Sequence, residues 1–316
     1  MAEYKIPVIA VVGPTASGKT SLAVELCKIY GAEAVSCDSM QIYKGMDIAT
    51  AKPTAEEMQG IKHHLIGFLS PEESFSVAKY CEMAKSAIFE ITKNNKKTVL
   101  VGGTGLYYSS LVDNIEFLPE ETDFAYREEL KKQAEESGAQ SLLDKLYEID
   151  PESAKELHVN NLGRIIRALE IYHTTGKTKT MQNEESLKKP SPFEVTPICL
   201  DARDRQFLYD RINKRVDIMV ENGLLEEAKA YFDMNIGRTA AQAIGYKELE
   251  PYFKNEKSLE ECTENLKMQT RRYAKRQLTW FRRDPRMNFL FIDDYSSGEE
   301  LIKAACDIVE RGRKIE

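Results

Sequence analysis

Residues 11–20 read VVGPTASGKT, and they decide the fold. From Gly13 to Thr20 the chain matches G-x-x-x-x-G-K-[ST], a loop whose glycines let backbone N–H groups wrap a phosphate. An apolar run, IPVIAVV at 6–12, comes before it, and KTSLAVELCKIYG at 19–31 follows with apolar residues at helical spacing and a terminating glycine. Strand, loop and helix in that order separate a phosphate loop from a chance glycine turn. They put Gly13, Pro14, Thr15, Ala16, Ser17, Gly18, Lys19 and Thr20 around a polyphosphate. Lys19 neutralises a terminal phosphate, and Thr20 offers its hydroxyl to a magnesium ion.

Outward from the loop, AEAVSC at 32–37 reads as a second strand that carries Asp38 at its tip. SFSVAKYCEMAKSAIFEITKNN at 74–95 has the length and period of a crossover helix, and KTVLVGGTGLY at 97–107 is a buried strand breaking into a glycine turn. His63 and His64 sit beside an expected loop, and no metal-ligand spacing links them to the other histidines. Strands alternating with helices imply a parallel, doubly wound sheet whose strand ends share one ligand-binding edge. The phosphate loop, Asp38 and Thr104 are therefore expected to be neighbours.

After about residue 120 the pattern turns to helix upon helix: FAYREELKKQAEESG, AQSLLDKLYEID and NLGRIIRALEIYHTTG. A polar, proline-bearing stretch at 174–192 returns the chain to VTPICLDAR, a further core strand; two long helices and a last strand, MNFLFIDD at 287–294, follow. The expected fold is α/β, a P-loop NTPase-like doubly wound parallel sheet with a helical insertion. The core spans 1–119 and 189–316, and the insertion 120–188.

At 316 residues, 42% apolar and 30% charged, the composition is that of a soluble globular protein. No apolar run approaches the roughly 18 residues of a membrane span, and nothing marks a secretory signal. Six scattered cysteines without CxxC spacing read as reduced thiols, so a cytoplasmic location is expected. Nothing requires a protein partner or more than a monomer. A net charge of −7 would argue against nucleic acid, but the charge is uneven. RRYAKRQLTWFRRDPR at 271–286 holds seven Arg or Lys against one Asp, while residues 119–161 hold twelve acids against five bases. Basic residues interleaved with aromatics on a helix suit a phosphate backbone with unstacked bases, although a solvated charged helix gives the same pattern.

A nucleotide-hydrolysing motor needs an acid at the end of an apolar strand to hold its magnesium. TVLVGGTGLY ends in glycine instead, leaving only ICLD at 198–201 and LFID at 290–293 as formal candidates. Asp38, nineteen residues after Lys19, points beyond the terminal phosphate, where a general base belongs; it could equally cap the turn DSMQ. Gln41 could read an adenine edge. Arg164 with Arg167, and Arg211 with Arg215, are spaced to form anion clamps or surface charge.

Taken in order, GPTASGKT, SCDSMQIYKGMDIATAKP, HHLI, GGTGLY, RIIRALEIYHTTGK, QAIGYKE and RRYAKRQLTWFRRD resemble the bacterial tRNA dimethylallyltransferases over nearly the whole chain. That resemblance implies transfer of a dimethylallyl group from its diphosphate to N6 of the adenosine just 3′ of the anticodon, in tRNAs reading U-initial codons. By it Asp38 is the general base, and Thr15, Lys19 and Thr20, with magnesium and an arginine from Arg211 or Arg215, neutralise the leaving diphosphate. It implies that the tRNA anticodon stem-loop is met by Asp38, Ser39, Met40, Gln41 and Thr104, by Arg127, Gly163, Arg164 and Arg167 in the insertion, and by Arg271, Arg272 and Arg276. One departure is Gly163, where the family usually carries glutamine. A small-molecule kinase would use the same loop and carboxylate but has no use for the basic helix. Prenylation of free AMP shares the chemistry, and an RNA-binding module gated by ATP would leave Asp38 dispensable.

Overall fold

The computed structural model describes residues 5–117, 123–187 and 189–313. The described residues form six strands: β1 (Ile6–Val12), β2 (Ala32–Ser36), β3 (His63–His64), β4 (Lys97–Gly102), β5 (Phe193–Asp201) and β6 (Asn288–Phe291). They join in the order β3-β2-β4-β1-β5-β6 with every pairing parallel. A parallel sheet is covered on both faces, so its central strands are apolar throughout. In β1, Val8, Ala10 and Val12 pack into one core cluster and Ile9 and Val11 into the other, following the two-residue period of a strand.

The helices are α1 (Lys19–Tyr30), α2 (Ala55–Met58), α3 (Val77–Lys93), α4 (Gly105–Val112), α5 (Phe124–Ser137), α6 (Ala139–Ile149), α7 (Pro151–Lys155), α8 (Leu162–Thr175), α9 (Lys179–Leu187), α10 (Arg205–Glu221), α11 (Leu224–Phe232), α12 (Glu250–Phe253), α13 (Leu259–Phe281) and α14 (Gly298–Arg313). α1 and α14 pack in the cluster with Ile9 and Val11; α3, α4 and α11 pack in the one with Val8 and Val12. Register then sets the functional edge. Val12 lies opposite Gly102 and Ser36 opposite Val101, so the segments after β1, β2 and β4 all leave the sheet side by side.

The chain divides into two compact units, Met1–Val112 with Pro192–Glu316, and Asp113–Ser191. The boundaries expected near 119 and 188 lie outside the described residues. Two local expectations were incomplete. His63–His64 forms the edge strand β3, too short for any alternation to reveal, and the returning stretch at 174–192 contains α9. None of the described helices is long and apolar enough to cross a membrane.

Within the insertion, α5, α6 and α8 bury Leu130, Leu142, Leu146, Ile165, Ile166 and Leu169 together. Beside this core sits Glu170, fully buried. Arg127 donates to it from Nε and Nη2 at 2.7 Å each, Arg167 from Nη1 at 2.6 Å, and the Asp123 N–H at 3.1 Å. Burial alone would raise the Glu170 pKa, but the two arginines hold it below the usual carboxylate range. Arg127 is thus an internal ion-pair partner before it can be anything else. Removing one side of a buried pair costs about 3–5 kcal/mol. Arg127→Ala should therefore lower the thermal unfolding midpoint markedly, measured by calorimetry. An unchanged midpoint, with RNA affinity reduced, would show that Arg127 serves only at a binding surface.

Candidate active site

A cavity of about 790 Å³ opens at the edge where β1, β2 and β4 end, and it is formed wholly within the sheet-bearing unit. Thr15, Ala16, Gly18, Lys19 and Thr20 form one wall, and Asp38, Ser39, Met40 and Gln41 another. Arg215 from α10, and Tyr273, Arg276 and Gln277 from α13, add to the polar lining, which also takes in Asp47, Lys52 and Glu57. Gly13, Pro14 and Ser17 shape the loop from behind. Gly13 takes φ +138°, and a Cβ there would lie 2.5 Å from the Leu200 carbonyl oxygen of β5, so a side chain is excluded by both backbone and neighbour.

Lys19 is half-buried, and its Nζ donates to the Pro14 carbonyl at 2.5 Å. Burial first, and then the charge of Arg215, pull its pKa down to about 8. Arg215 is lowered in turn, by burial and by the Arg211 charge against the opposing pull of Glu57. Two cations crowded in a low-dielectric cavity are stabilised by a polyanion, and that is the ligand such a site selects.

The two arginines of α10 have separate jobs. Arg215 lines the cavity and donates from Nη1 to Thr15 Oγ1 at 3.1 Å, whereas exposed Arg211 lies outside the lining and donates from Nε to the Ala16 carbonyl at 2.8 Å. Arg215 is thus the one that faces the cavity, and Arg211 braces the loop.

Asp38 lies two residues past β2. Its Oδ1 accepts the N–H of Met40 at 2.9 Å and of Gln41 at 3.3 Å, so the turn-capping role anticipated for it is real, but it occupies one oxygen. Asp38 lines the cavity, and neither of these bonds uses Oδ2. Burial raises the Asp38 pKa against the stabilising Met40 N–H, the Lys19 charge and the Gln41 N–H, which makes it a stronger base than an exposed carboxylate. Thr104 joins the neighbouring turn to this one, its Oγ1 accepting the Ser39 N–H at 2.9 Å and its own N–H donating to the Cys37 carbonyl at 3.1 Å.

Gln277 is the residue whose role the sequence did not reveal. Its Oε1 accepts the Thr15 N–H and its Nε2 donates to the Gly103 carbonyl, each at 2.9 Å, fastening α13 to both the phosphate loop and the glycine turn. A Cβ on Gly103 would fall 2.2 Å from Gln277 Nε2.

Other expected contacts separate. Arg271 donates to Asn213 Oδ1 at 2.5 Å and lies over the Tyr209 ring, so it joins α13 to α10. Arg282 pairs with buried Asp201 at 2.7 Å, and Arg286 with Asp284 at 2.7 Å. Asp201 ends β5 and is spent on Arg282 and the Ala202 N–H; Asp293 accepts the N–H groups of Arg203 and Asp204. Neither acid lines the cavity, so neither formal magnesium-holding candidate is in position. Arg272, Lys275 and Arg276 remain exposed along one side of α13, continued by Arg283. In the insertion, Gly163 and Arg164 are exposed in the first turn of α8, with open space around Gly163.

A profile of the IPP transferase family matches residues 41–284. The chain belongs to that family. Similar curated proteins include the tRNA dimethylallyltransferase of Acetivibrio thermocellus, 47% identical over 298 residues that cover 94% of this chain and 95% of that one. That of Bacillus cytotoxicus is 49% identical over 297 residues, covering 94% and 93%. Among solved structures, a full-length tRNA isopentenylpyrophosphate transferase from Bacillus halodurans aligns over 98% of this chain and 99% of its own, with 43% identity and TM-score 0.72. A eukaryotic dimethylallyltransferase acting on tRNA aligns over 97% of this chain and 80% of its own, with 27% identity and TM-score 0.79. As a family member, the chain carries the phosphate loop as part of a prenyl-transfer enzyme fold.

The lowered Lys19 pKa has a measurable consequence. Below about 8 the lysine is already charged, and an anion binds without proton exchange; above it, binding must return a proton to Lys19, so affinity falls as pH rises. Calorimetry with a diphosphate analogue, in buffers of different ionisation enthalpy, should show little proton uptake near pH 7 and close to about one proton near pH 9. Equal uptake at both would mean that Lys19 does not titrate in this range.

Proposed function

We propose that this protein is a tRNA dimethylallyltransferase. It moves the dimethylallyl group of dimethylallyl diphosphate to N6 of the adenosine immediately 3′ of the anticodon, in tRNAs reading U-initial codons. One observation carries the reading: Asp38, with one carboxylate oxygen fixed by two N–H groups, shares a cavity with the half-buried cations Lys19 and Arg215. A base and a polyanion site are thereby held side by side, while Asp201 and Asp293, the strand-end acids that could have supported nucleotide hydrolysis, lie outside the cavity.

The chemistry follows from that pairing. The N6 nitrogen forms a bond to the allylic carbon while the bond from that carbon to the diphosphate oxygen breaks, its electron pair leaving on the diphosphate. Oδ2 of Asp38 takes the N6 proton. Lys19, Arg215, Thr15 and the loop N–H groups face the charge that develops on the leaving group, and fixed dipoles and cations aimed at developing charge are the largest single contribution in most such sites.

Among the described residues no three His, Cys, Asp or Glu side chains gather as a metal cage. Thr20, lining the cavity beside Lys19, fits a magnesium ion held mostly by phosphate oxygens and water. The ion would add Lewis-acid neutralisation of the diphosphate.

The acceptor must leave the anticodon stack to reach such an enclosed base. Arg276 lies 5.6 Å over the Tyr273 ring and both border the cavity, offering a cationic and aromatic surface at its mouth. The exposed cations Arg272 and Lys275 on α13, and Arg283 just past its end, extend from there to suit the RNA backbone. In the insertion, Arg164 is an exposed cation that suits the same role.

The test is direct. Unmodified tRNA with adenosines on both sides of the anticodon's 3′ edge is incubated with the protein, magnesium and dimethylallyl diphosphate, then digested for nucleoside mass spectrometry. A single prenylated adenosine at the expected position, with diphosphate released, is the predicted result. No product, with ATP consumed when supplied, would overturn the proposal in favour of a kinase.

A further inference from the structure

The motifs GMDIATAKP and QAIGYKE are left without a role by the chemistry above, and one carboxylate links them. Glu227, on α11, accepts the N–H groups of three consecutive residues: Asp47 and Ile48 at 2.7 Å on Oε2, and Ala49 at 2.9 Å on Oε1. Tyr246, from QAIGYKE, donates its hydroxyl to the same Oε1 at 2.9 Å. The Tyr246 ring stacks on Tyr231 of α11 with centroids 4.0 Å apart. Three successive N–H groups converging on a charged acceptor form a strong and geometrically specific anchor.

What is anchored is a wall of the cavity. The segment 47–51 is closed on itself by the Thr50 hydroxyl donating to the Met46 carbonyl at 2.6 Å and the Ala51 N–H to the Ile48 carbonyl at 2.9 Å. Its outward carbonyls, Thr50 at 3.3 Å and Ala51 at 3.0 Å, receive Nε2 of Gln41. The Gln41 amide therefore spends its donors on the loop and keeps Oε1 as an acceptor. Gln41 also belongs to the turn whose N–H groups hold Asp38. An exocyclic amine carries two hydrogens, and the site supplies two acceptors in one turn: the Asp38 carboxylate and the Gln41 carbonyl oxygen.

We propose that Glu227 is a positioning residue for the transfer, acting through the 47–51 loop to orient Gln41 beside Asp38. This rests on the prenyl-transfer reading of the site. The Glu227 side chain does not line the cavity, so its influence runs through backbone hydrogen bonds.

The experiment is a double-mutant cycle between Glu227→Ala and Gln41→Ala, reading kcat/KM for tRNA together with the affinity for inorganic diphosphate. Each single variant is expected to lose about 10- to 100-fold in kcat/KM, the scale of misplacing a reacting group by an ångström. Diphosphate affinity should stay at the wild-type value, since Lys19 and Arg215 are held by other elements. The double variant is expected to be no slower than Gln41→Ala alone, because residues acting through one another are not additive. Glu227→Gln, which keeps the shape and one acceptor oxygen, should fall between wild type and alanine and replaces it in the cycle if the alanine protein is unfolded. Multiplying losses in the double variant, wild-type rates in either Glu227 variant, or a matching loss of diphosphate binding would overturn the proposal. An inactive wild type would instead bring down the prenyl-transfer reading on which it rests.

Discussion

The structure turns on an electrostatic imbalance held in place by backbone. Lys19 and Arg215 are half-buried beside the Asp38 carboxylate at the edge of the sheet. Burial disfavours each of these charges separately, drawing the cations down and the carboxylate up. A diphosphate relieves the first strain and a proton from an attacking amine the second. The energetic needs of the protein and the charge changes of prenyl transfer therefore run in the same direction.

Holding such groups together requires rigid supports, and the supports are mostly main-chain contacts. Gln277 ties the phosphate loop to the glycine turn after β4, and Thr104 ties that turn to the one carrying Asp38. Because Gln277 lies on α13, the cationic side of that helix is fixed relative to the phosphate loop by a buried side chain. Arg271 secures the same helix to α10, which carries Arg215. The surface suited to RNA and the site suited to the diphosphate are parts of one braced assembly.

Much of this was legible in the sequence. The glycine-rich loop between an apolar strand and an amphipathic helix specified the parallel sheet, and the sheet's geometry brought Asp38 and Thr104 to the loop. What escaped depended on partners distant in the chain. Arg127 gave no sign of Glu170, 43 residues on, and Arg211 and Arg215, four apart on one helix, could not be told apart until the loop they reach was placed. Glu227 was invisible because its partners are N–H groups, which every residue but proline possesses. Gln277 stood beside the basic residues of the same helix, yet its function needs a glycine 174 positions earlier.

The claim that Asp38 is the base is tested most directly by single-turnover transfer rates as a function of pH. With saturating tRNA and dimethylallyl diphosphate, the wild-type rate should fall tenfold per pH unit as pH drops through the Asp38 pKa, which burial sets above the ordinary carboxylate value. Asp38→Asn should be slower throughout and lose that acid limb while still binding both substrates. An acid limb that persists unchanged in Asp38→Asn would place the proton acceptor elsewhere and contradict the account.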